Sequence, residues 1–224
     1  MFGTRQMSNV SSHFKLSLLG KQCSPVPFTK DLGVFMDSTL SFHEHVMQIT
    51  SMCIASLCQI NQVRHVLEKK TLITVINALV LSRLFYCSSV LGGISMKNDL
   101  ELQSVQNFAT CIITMYHIQP IVRDSNWLNV ESTIKYRDGI MAFKCMNGYA
   151  PECLCHQFIL RSKIHSRNTR NKDKLAIPLC KTAAGQKSFV YRATSIWNGF
   201  SQDLINLNNL NSFKRLYKLS LLEQ

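Results

Sequence analysis

The chain has 224 residues and is 46% hydrophobic, which is enough to bury a sizeable core and excludes wholesale disorder. Its 25 lysines and arginines against 13 acids give a formal charge of +12, which favours a polyanionic partner, nucleic acid before an anionic membrane. Nine cysteines, an odd number, and a polar start without an apolar secretory core predict free thiols in a reduced, intracellular compartment.

The first predicted elements are two short strands, over residues 14–19 and 30–36. In the second tract the apolar side chains alternate from Leu32 to Met36, which is typical of a half-buried strand. Prolines lie in the link between the two tracts, where they remove no hydrogen bond from a ladder. The sequence therefore predicts one β-hairpin and no other convincing β structure.

Helical periodicity then dominates the chain. Ser41 and Glu44 have the spacing of a capping box at the start of the first helix. A second helix is predicted over 69–91. It is apolar on most sides, so we expect it to lie centrally, and the polar residues within it favour a buried helix over a membrane span. Asn98 is predicted to cap a third helix.

The apolar stripes of these helices follow from the spacing of their side chains. A fourth helix is predicted to end near Gly148, and Pro151 can open a fifth that runs to about residue 160. Trp127 and Trp197 are predicted to lie in the core. The stripes are Val46, Ile49, Cys53, Leu57 and Ile60 in the first helix, Leu102, Val105, Ala109 and Ile112 in the third, and Tyr136, Ile140 and Phe143 in the fourth.

The character of the chain changes after residue 160. Residues 161–192 contain nine lysines and arginines against one acid, Asp173, a net charge of nine minus one, or +8. The first part, Arg161–Lys174, is almost free of apolar residues and is predicted to be an exposed basic loop. Helical patterning returns over Ser188–Phe200 and again at the chain end. The predicted fold is mainly α: an N-terminal β-hairpin, a helical bundle, a basic loop and C-terminal helices.

Several tracts occur in the order in which they occur in one family of proteins. They resemble the region that follows the catalytic strands in the reverse transcriptases of non-LTR (LINE-type, jockey-like) retrotransposons. The resemblance rests on the order and spacing of these tracts over nearly the whole chain. They are Lys30–Phe42, Ser82–Gly93, Leu102–Ala109, Asn126–Val130, Gly148–Pro151, Gly185–Ala193 with Ile196–Asn198, and Ser212–Leu216.

The resemblance implies a division of the chain into three parts. Residues 1–42 would be the end of the polymerase palm, with a hairpin like the one that helps to position the primer end. Residues 43–160 would be a helical, thumb-like domain, and residues 161–224 a basic loop with a C-terminal helical extension. The chain departs from the family pattern at Phe85, where the family has Asp, and at Asn129, where it has Pro.

The carboxylates needed for polymerase chemistry are not clustered in the sequence. Template-directed nucleotidyl transfer requires clustered carboxylates that hold two Mg²⁺ ions. The chain has seven aspartates and no two are adjacent. Asp31 and Asp37 lie six positions apart and could meet, although surface carboxylates are the favoured interpretation. We therefore expect no polymerase activity and no cofactor for this chain alone, with Mg²⁺ only in the complete ancestral enzyme.

The basic loop contains the best candidates for nucleic-acid contact. His165–Arg170 is rich in hydrogen-bond donors, and arginine binds phosphate oxygens bidentately. The alternative is a solvated surface loop. Tyr191, Arg192 and Trp197 could stack on bases, although a core position is favoured for Trp197. The candidate contact residues are Arg161, Lys163, Arg167, Arg170, Lys172 and Lys174, with Lys30 added by the primer-grip resemblance.

Two other groups of polar residues were weighed as sites. Cys153, Cys155 and His156 could form part of a zinc site that Cys145 or Cys180 completes, but buried or half-buried thiols are favoured. His43 and His45 flank Glu44 at the first turn of a helix, and both are read as cap and surface residues. The sequence thus predicts no metal site and no catalytic residue.

These observations give one main functional hypothesis and two alternatives. The main hypothesis is a truncated, catalytically incomplete RNA-directed DNA polymerase that retains nonspecific binding of RNA or an RNA–DNA hybrid. The first alternative is a non-enzymatic protein-interaction module, in which the apolar surface left by a missing palm binds another protein or drives self-association. The second alternative is an inert transposon relic. No membrane partner is predicted.

Overall fold

The computed structural model describes residues 16–24, 26–114, 127–164 and 171–223, and these are mainly helical, as the sequence predicts. They divide into two compact units. The first lies within residues 1–84 and 94–105, and the second within residues 85–93 and 106–224. The predicted domain boundaries after residues 42 and 160 stay predictions, because they rest on the resemblance and not on compactness.

Four short strands at the start of the chain are followed by twelve α-helices among the described residues. Four strands come first: β1 (Leu16–Leu18), β2 (Lys21–Cys23), β3 (Phe28–Asp31) and β4 (Val34–Asp37). The helices that follow are α1 (His43–Val63), α2 (Lys69–Ile76), α3 (Ser82–Leu84), α4 (Ser88–Leu91), α5 (Met96–Thr114), α6 (Val130–Met146), α7 (Glu152–Cys155), α8 (Arg161–Ile164), α9 (Ala183–Gln186), α10 (Phe189–Asn198), α11 (Gln202–Ile205) and α12 (Leu210–Leu222).

An N-terminal hairpin is confirmed, but the predicted pairing is wrong, because the two strand tracts do not pair with each other and each forms its own hairpin. β1 pairs with β2, and β3 pairs with β4, each pair antiparallel with a two-residue turn. The turns are Leu19-Gly20 and Leu32-Gly33, and all four residues have positive φ. Such turns match the right-handed twist of the strands and close each tract on itself. The alternation from Leu32 to Met36 therefore spans a turn and not one strand.

Helix α1 buries the predicted apolar stripe but lacks the predicted capping box. It begins at His43, and the preceding Phe42 has φ 57°. The backbone N–H of Phe42 donates to Asp37 Oδ1 at 3.0 Å. Glu44 accepts instead from the side chain of Gln48, one turn further along the helix, at 3.1 Å. A carboxylate from the hairpin therefore orients the chain as it enters the helix.

His45 is buried, so its prediction as a surface residue is wrong. Its side chain is 2% exposed because it lies on the same helix face as Ile49, four residues on. Nδ1 of His45 accepts from the backbone N–H of Phe35 on β4 at 3.4 Å. Burial lowers the pKa of His45 below its ordinary value of 6.5. His43 stays exposed, as predicted.

The predicted helix over 69–91 is interrupted twice. A π-helical turn, Asn77–Leu81, follows α2, and a turn after α3 places Cys87 at φ 50°. Leu72, Ile76 and Val80 are buried, while Leu79 is 46% exposed. The segment therefore buries one face only, and its predicted central position is wrong. In the described ranges, no helix is long and apolar enough to cross a membrane.

Helix α5 confirms the stripe predicted for the third helix but not its cap. Leu102, Val105, Ala109 and Ile112 are all buried. The helix begins at Met96, so Asn98 lies inside it and is buried. The Asn98 amide donates to the backbone carbonyl of Ser41 at 3.1 Å and its oxygen lies 3.2 Å from Nδ1 of His43. Asn98 thus joins two elements of the first unit.

The core of the second unit is built around helix α6. Asn129 caps this helix by accepting from the backbone N–H of Ser132 at 2.7 Å. Phe143 of α6 stacks on Phe213 of α12, with ring centroids 4.2 Å apart. Trp127 and Trp197 are buried, as predicted. The predicted fifth helix is a single turn, α7, and does not reach residue 160.

Candidate nucleic-acid interface

The basic loop leaves and rejoins the second unit at one point. Leu160 and Leu175 form an antiparallel bridge. Beyond it, the backbone N–H of Arg161 donates to the carbonyl of Lys174 at 2.9 Å, and that of Ser162 to the carbonyl of Lys172 at 3.0 Å. These hydrogen bonds hold the two ends of the loop together, so cations from both ends lie on one short stretch of backbone.

Asn198 fixes the base of this loop to helix α10. Its Oδ1 accepts from the backbone N–H of Leu175 at 2.8 Å, and its Nδ2 donates to the backbone carbonyl of Leu175 at 2.9 Å. An asparagine amide can do this because it presents a donor and an acceptor side by side. The side chain of Leu175 is fully buried in the core that also contains Phe158 and Trp197. The base of the loop is therefore part of the core.

The candidate cations of the loop point to solvent where the structure describes them. Lys163, Lys172 and Lys174 are exposed and Arg161 is half-buried. Within residues 16–24, 26–114, 127–164 and 171–223, none of these four forms an ion pair. Arg167 and Arg170, like the rest of the stretch 165–170, lie outside the described residues. The exposed character of the loop agrees with its composition, except that Arg161–Ile164 forms one helical turn.

Lys30, the remaining candidate, belongs to the first unit. It lies on β3 opposite Phe35 of β4, and its Nζ stands 5.1 Å from the centroid of the Phe35 ring. A cation over an aromatic face is weakly attracted by the ring's quadrupole. Lys30 is nevertheless exposed, so its ammonium group can reach an anion in solution.

Arg192 is committed to contacts inside the second unit, so it is not available to stack on bases. Its Nε donates to Asp138 Oδ2 at 3.0 Å and its Nη2 to the backbone carbonyl of Ser89 at 2.6 Å. Its Nη1 donates to the backbone carbonyl of Lys187. Trp197 is 4% exposed and is excluded from base stacking as well. The sequence allowed base stacking by Arg192 because spacing alone does not reveal a distant acidic partner.

Asp138 is the buried partner that the sequence analysis missed. Its side chain is 1% exposed and that of Arg192 is 16% exposed. Burial raises the pKa of Asp138 above its ordinary value of 3.8, while Arg192 and the hydroxyl of Ser89 oppose that rise. The sequence gives little sign that Asp138 is buried, because a single acidic residue in a helix is typical of an exposed surface position. Together, these two side chains connect α6 and α10 with the segment before Gly92.

Two of the tracts that resemble non-LTR reverse transcriptases are in contact near this ion pair. A Cβ atom on Gly92 would collide with the Arg192 guanidinium, and one on Gly93 would collide with Lys187. The tract Ser82–Gly93 therefore contacts the tract Gly185–Ala193 through its two glycines. Glycine is required here for close approach, in addition to ending the short helix α4.

The second unit also contains a pocket of about 280 Å³. It is lined by residues 87–90 and by Arg137, Ile140 and Met141, and its walls are almost entirely apolar. Arg137 donates to the backbone carbonyl of Phe85 and, at 3.2 Å, to the Ser88 hydroxyl. The pocket therefore offers few polar groups that could orient a polar ligand.

The candidate carboxylate pair of the first unit does not come together. Asp31 pairs with Val34 beside the turn of the β3–β4 hairpin, while Asp37 pairs with Phe28 at its other end. Asp37 is used locally, since it accepts from the Thr39 hydroxyl as well as from Phe42. In the part of the chain that the structure describes, no group of three or more His, Cys, Asp or Glu side chains could hold a metal ion.

Comparisons of the chain with protein-family models, with curated proteins and with solved structures find no match. The resemblance to non-LTR reverse transcriptases therefore rests on the sequence tracts alone.

Proposed function

We propose that this chain is a nucleic-acid-binding segment related to the thumb and C-terminal extension of a non-LTR retrotransposon reverse transcriptase. It binds RNA or an RNA–DNA hybrid without sequence specificity, and by itself it does not polymerise DNA. The observation that supports binding most directly is a set of cations at the base of the loop, three exposed and Arg161 half-buried, on a backbone that Asn198 anchors; among the described residues none of them forms an ion pair.

The chemistry of the loop favours phosphate contact over base readout. Lysine and arginine neutralise phosphates and release condensed counterions, so affinity falls with salt. If the four described cations each contact one phosphate, the slope of log affinity against log salt is about −3.6 for a duplex. Raising the salt fourfold then weakens binding by about 150-fold. Contacts of this kind position a protein on its partner but do not read sequence.

The binding test compares two variants that lose the same charge. In the first, Arg161, Lys163, Lys172 and Lys174 become Ala. In the matched control, four exposed cations far from the loop in sequence become Ala: Lys69, Lys70, Lys97 and Arg215. We expect the loop variant to lose at least about tenfold more affinity for a labelled RNA–DNA hybrid than the control. Equal losses would mean that only net charge matters, and the proposed interface would be wrong.

Self-association of the first unit is a second candidate function. Leu19 and Leu32, at the tips of the two hairpins, are 98% and 83% exposed. Exposed large apolar side chains of this kind favour contact with another protein surface. Val34, two positions after Leu32, is 5% exposed and belongs to the core, so it is not part of this surface. Sedimentation of the wild type beside a Leu19→Ser, Leu32→Ser double variant tests this candidate, which predicts a dimer that the variant loses.

A further inference from the structure

The base of the basic loop places two cations directly opposite each other. Leu160 and Leu175 pair across this base, and next to them the backbone N–H of Arg161 donates to the carbonyl of Lys174 at 2.9 Å. Arg161 is therefore the cross-strand neighbour of Lys174. Like charges in directly opposite positions destabilise a strand pair. In the part of the chain that the structure describes, neither cation forms an ion pair, so an anion that contacts both would remove their repulsion.

An apolar pair lies beside these cations on the same face. On the other side of the leucine pair, the backbone N–H of Ala176 donates to the carbonyl of Ile159 at 2.8 Å. Side chains alternate between faces along a strand, so Ile159 and Arg161 point to the same side, while Leu160 between them packs against the core. Ile159 is 44% exposed. The outward face thus presents two cations next to an exposed apolar side chain.

Exposed apolar side chains continue from both strands of this pairing. Ile164, the last residue of α8, is 51% exposed, and Leu179, four positions after Leu175, is fully exposed. Phosphate contacts with nucleic acid use the cations and give such side chains no partner. The boundary of a phospholipid bilayer, by contrast, presents phosphates directly beside acyl chains. The combination of unpaired cations with exposed apolar side chains therefore matches a lipid surface better than a nucleic acid.

We propose that this surface binds membranes that contain anionic phospholipids. The loop-base face, as we name it, consists of Arg161, Lys174, Ile159, Ile164 and Leu179. Its two cations contact lipid phosphates, and its apolar side chains enter the boundary between headgroups and acyl chains. The sequence alone predicted no membrane partner, because it does not show that these apolar side chains are exposed. This function goes beyond nucleic-acid binding, and the two kinds of polyanion compete for the same cations.

The charge of the surrounding segment supports this partner. The described part of the loop, residues 161–164 and 171–174, contains four cations and one acid, Asp173, a net charge of four minus one, or +3. A lysine or arginine at an anionic membrane strengthens binding about fivefold. Loss of both cations of the loop-base face should therefore weaken binding roughly 25-fold.

The first test measures co-sedimentation of the full chain with vesicles of phosphatidylcholine alone and with about 30% phosphatidylserine. We expect the wild type to bind the anionic vesicles at least about tenfold more tightly than the neutral ones. The double variant Arg161→Ala, Lys174→Ala should lose roughly 25-fold, and the control Lys69→Ala, Lys70→Ala, which removes two exposed cations of the first unit, less than about threefold.

The second test removes the apolar side chains and keeps every charge. The double variant Ile159→Ser, Leu179→Ser should bind anionic vesicles at least about tenfold more weakly, because apolar area no longer leaves water. Its affinity for an RNA–DNA hybrid should stay within about twofold of the wild type. The matched control is Leu19→Ser, Leu32→Ser, which removes two exposed leucines of the first unit and should keep vesicle binding.

The hybrid measurement separates this proposal from nucleic-acid binding. Vesicle binding without hybrid binding by the wild type would contradict only the proposed function. Equal binding of neutral and anionic vesicles by the wild type would overturn the membrane proposal, and this comparison does not require that any variant folds. Undiminished vesicle binding by the Ile159→Ser, Leu179→Ser variant, or an equal loss of hybrid affinity, would overturn it as well.

Discussion

The buried ion pair between Arg192 and Asp138 gives the sharpest stability prediction. Arg192→Met keeps most of the side-chain volume but removes the charge and the donors to Asp138 Oδ2 and the Ser89 carbonyl. Removing one partner of a buried ion pair typically costs about 3–5 kcal/mol, because the other charge is left without compensation. Against a total stability of about 5–15 kcal/mol, we expect this loss to be large.

The pH dependence of this loss follows from the carboxyl that remains. Without Arg192, the pKa of Asp138 rises further above 3.8, because burial raises it and its main opposing interaction is gone. Protonating an ordinary carboxyl with that pKa costs about 4.4 kcal/mol at pH 7 and about 1.6 kcal/mol at pH 5. A raised folded-state pKa means that stability falls as the pH rises. The destabilisation of Arg192→Met should therefore shrink by up to about 2.8 kcal/mol between pH 7 and pH 5.

Urea unfolding followed by tryptophan fluorescence measures the stability of the second unit. Trp127 and Trp197 are both buried in that unit, which also contains the ion pair. The matched control is the double variant with Asp138→Asn, which removes the stranded charge and should recover much of the lost stability. A loss of less than about 1 kcal/mol at pH 7, the value typical of an exposed pair, would refute the reasoning. So would a loss that does not change with pH.

Three further predictions concern other parts of the structure. Asn198→Ala should destabilise the second unit by about 1–3 kcal/mol and increase the rate of proteolytic cleavage between residues 160 and 175, because two hydrogen bonds to Leu175 are lost. His45→Gln should flatten the pH dependence of the first unit's stability. In the wild type the folded-state pKa of His45 is lowered, so its contribution to stability is complete above about pH 6.5. That contribution is lost as the pH falls through the folded-state pKa. Gly92→Ala should destabilise the second unit in urea unfolding by about 1–3 kcal/mol, whereas Gly199→Ala, where a Cβ meets its nearest atom at 3.4 Å, should be tolerated better.

The apolar stripes were predictable from the sequence because burial on one helix face leaves a periodic pattern. The stripes of α1 and α5 were confirmed residue by residue, and both tryptophans lie in the core. Helix ends were less predictable, since they depend on distant groups. At the entry to α1 the backbone N–H of Phe42 donates to Asp37 of the hairpin, and Ser41 accepts from the backbone N–H of His43 rather than from that of Glu44, as a capping box would require. The strand pairing of the hairpins was predicted wrongly, because a Leu-Gly turn does not interrupt the alternation of apolar residues and so cannot be recognised from it.

The candidate interface was only partly predictable. Charge density identifies the loop, because a run of cations without apolar residues cannot be buried. It does not identify Asn198, whose role depends on meeting Leu175, which lies 23 positions earlier in the chain. It also misassigned Arg192, which looks like its neighbours in sequence but has Asp138 as a partner 54 residues away. Long-range polar contacts leave no local pattern, and for this reason they were missed.

The central claim is that the basic loop binds nucleic acid through its cations, and the salt dependence of binding tests it most directly. Affinity for an RNA–DNA hybrid is measured at about 50 and 200 mM salt for the wild type and for a variant that lacks all six loop cations. The account predicts that these substitutions reduce the steepness of log affinity against log salt by about four to five. The changed residues are Arg161, Lys163, Arg167, Arg170, Lys172 and Lys174. Equal salt slopes for the two proteins, or no binding by a wild type that unfolds cooperatively, would contradict it.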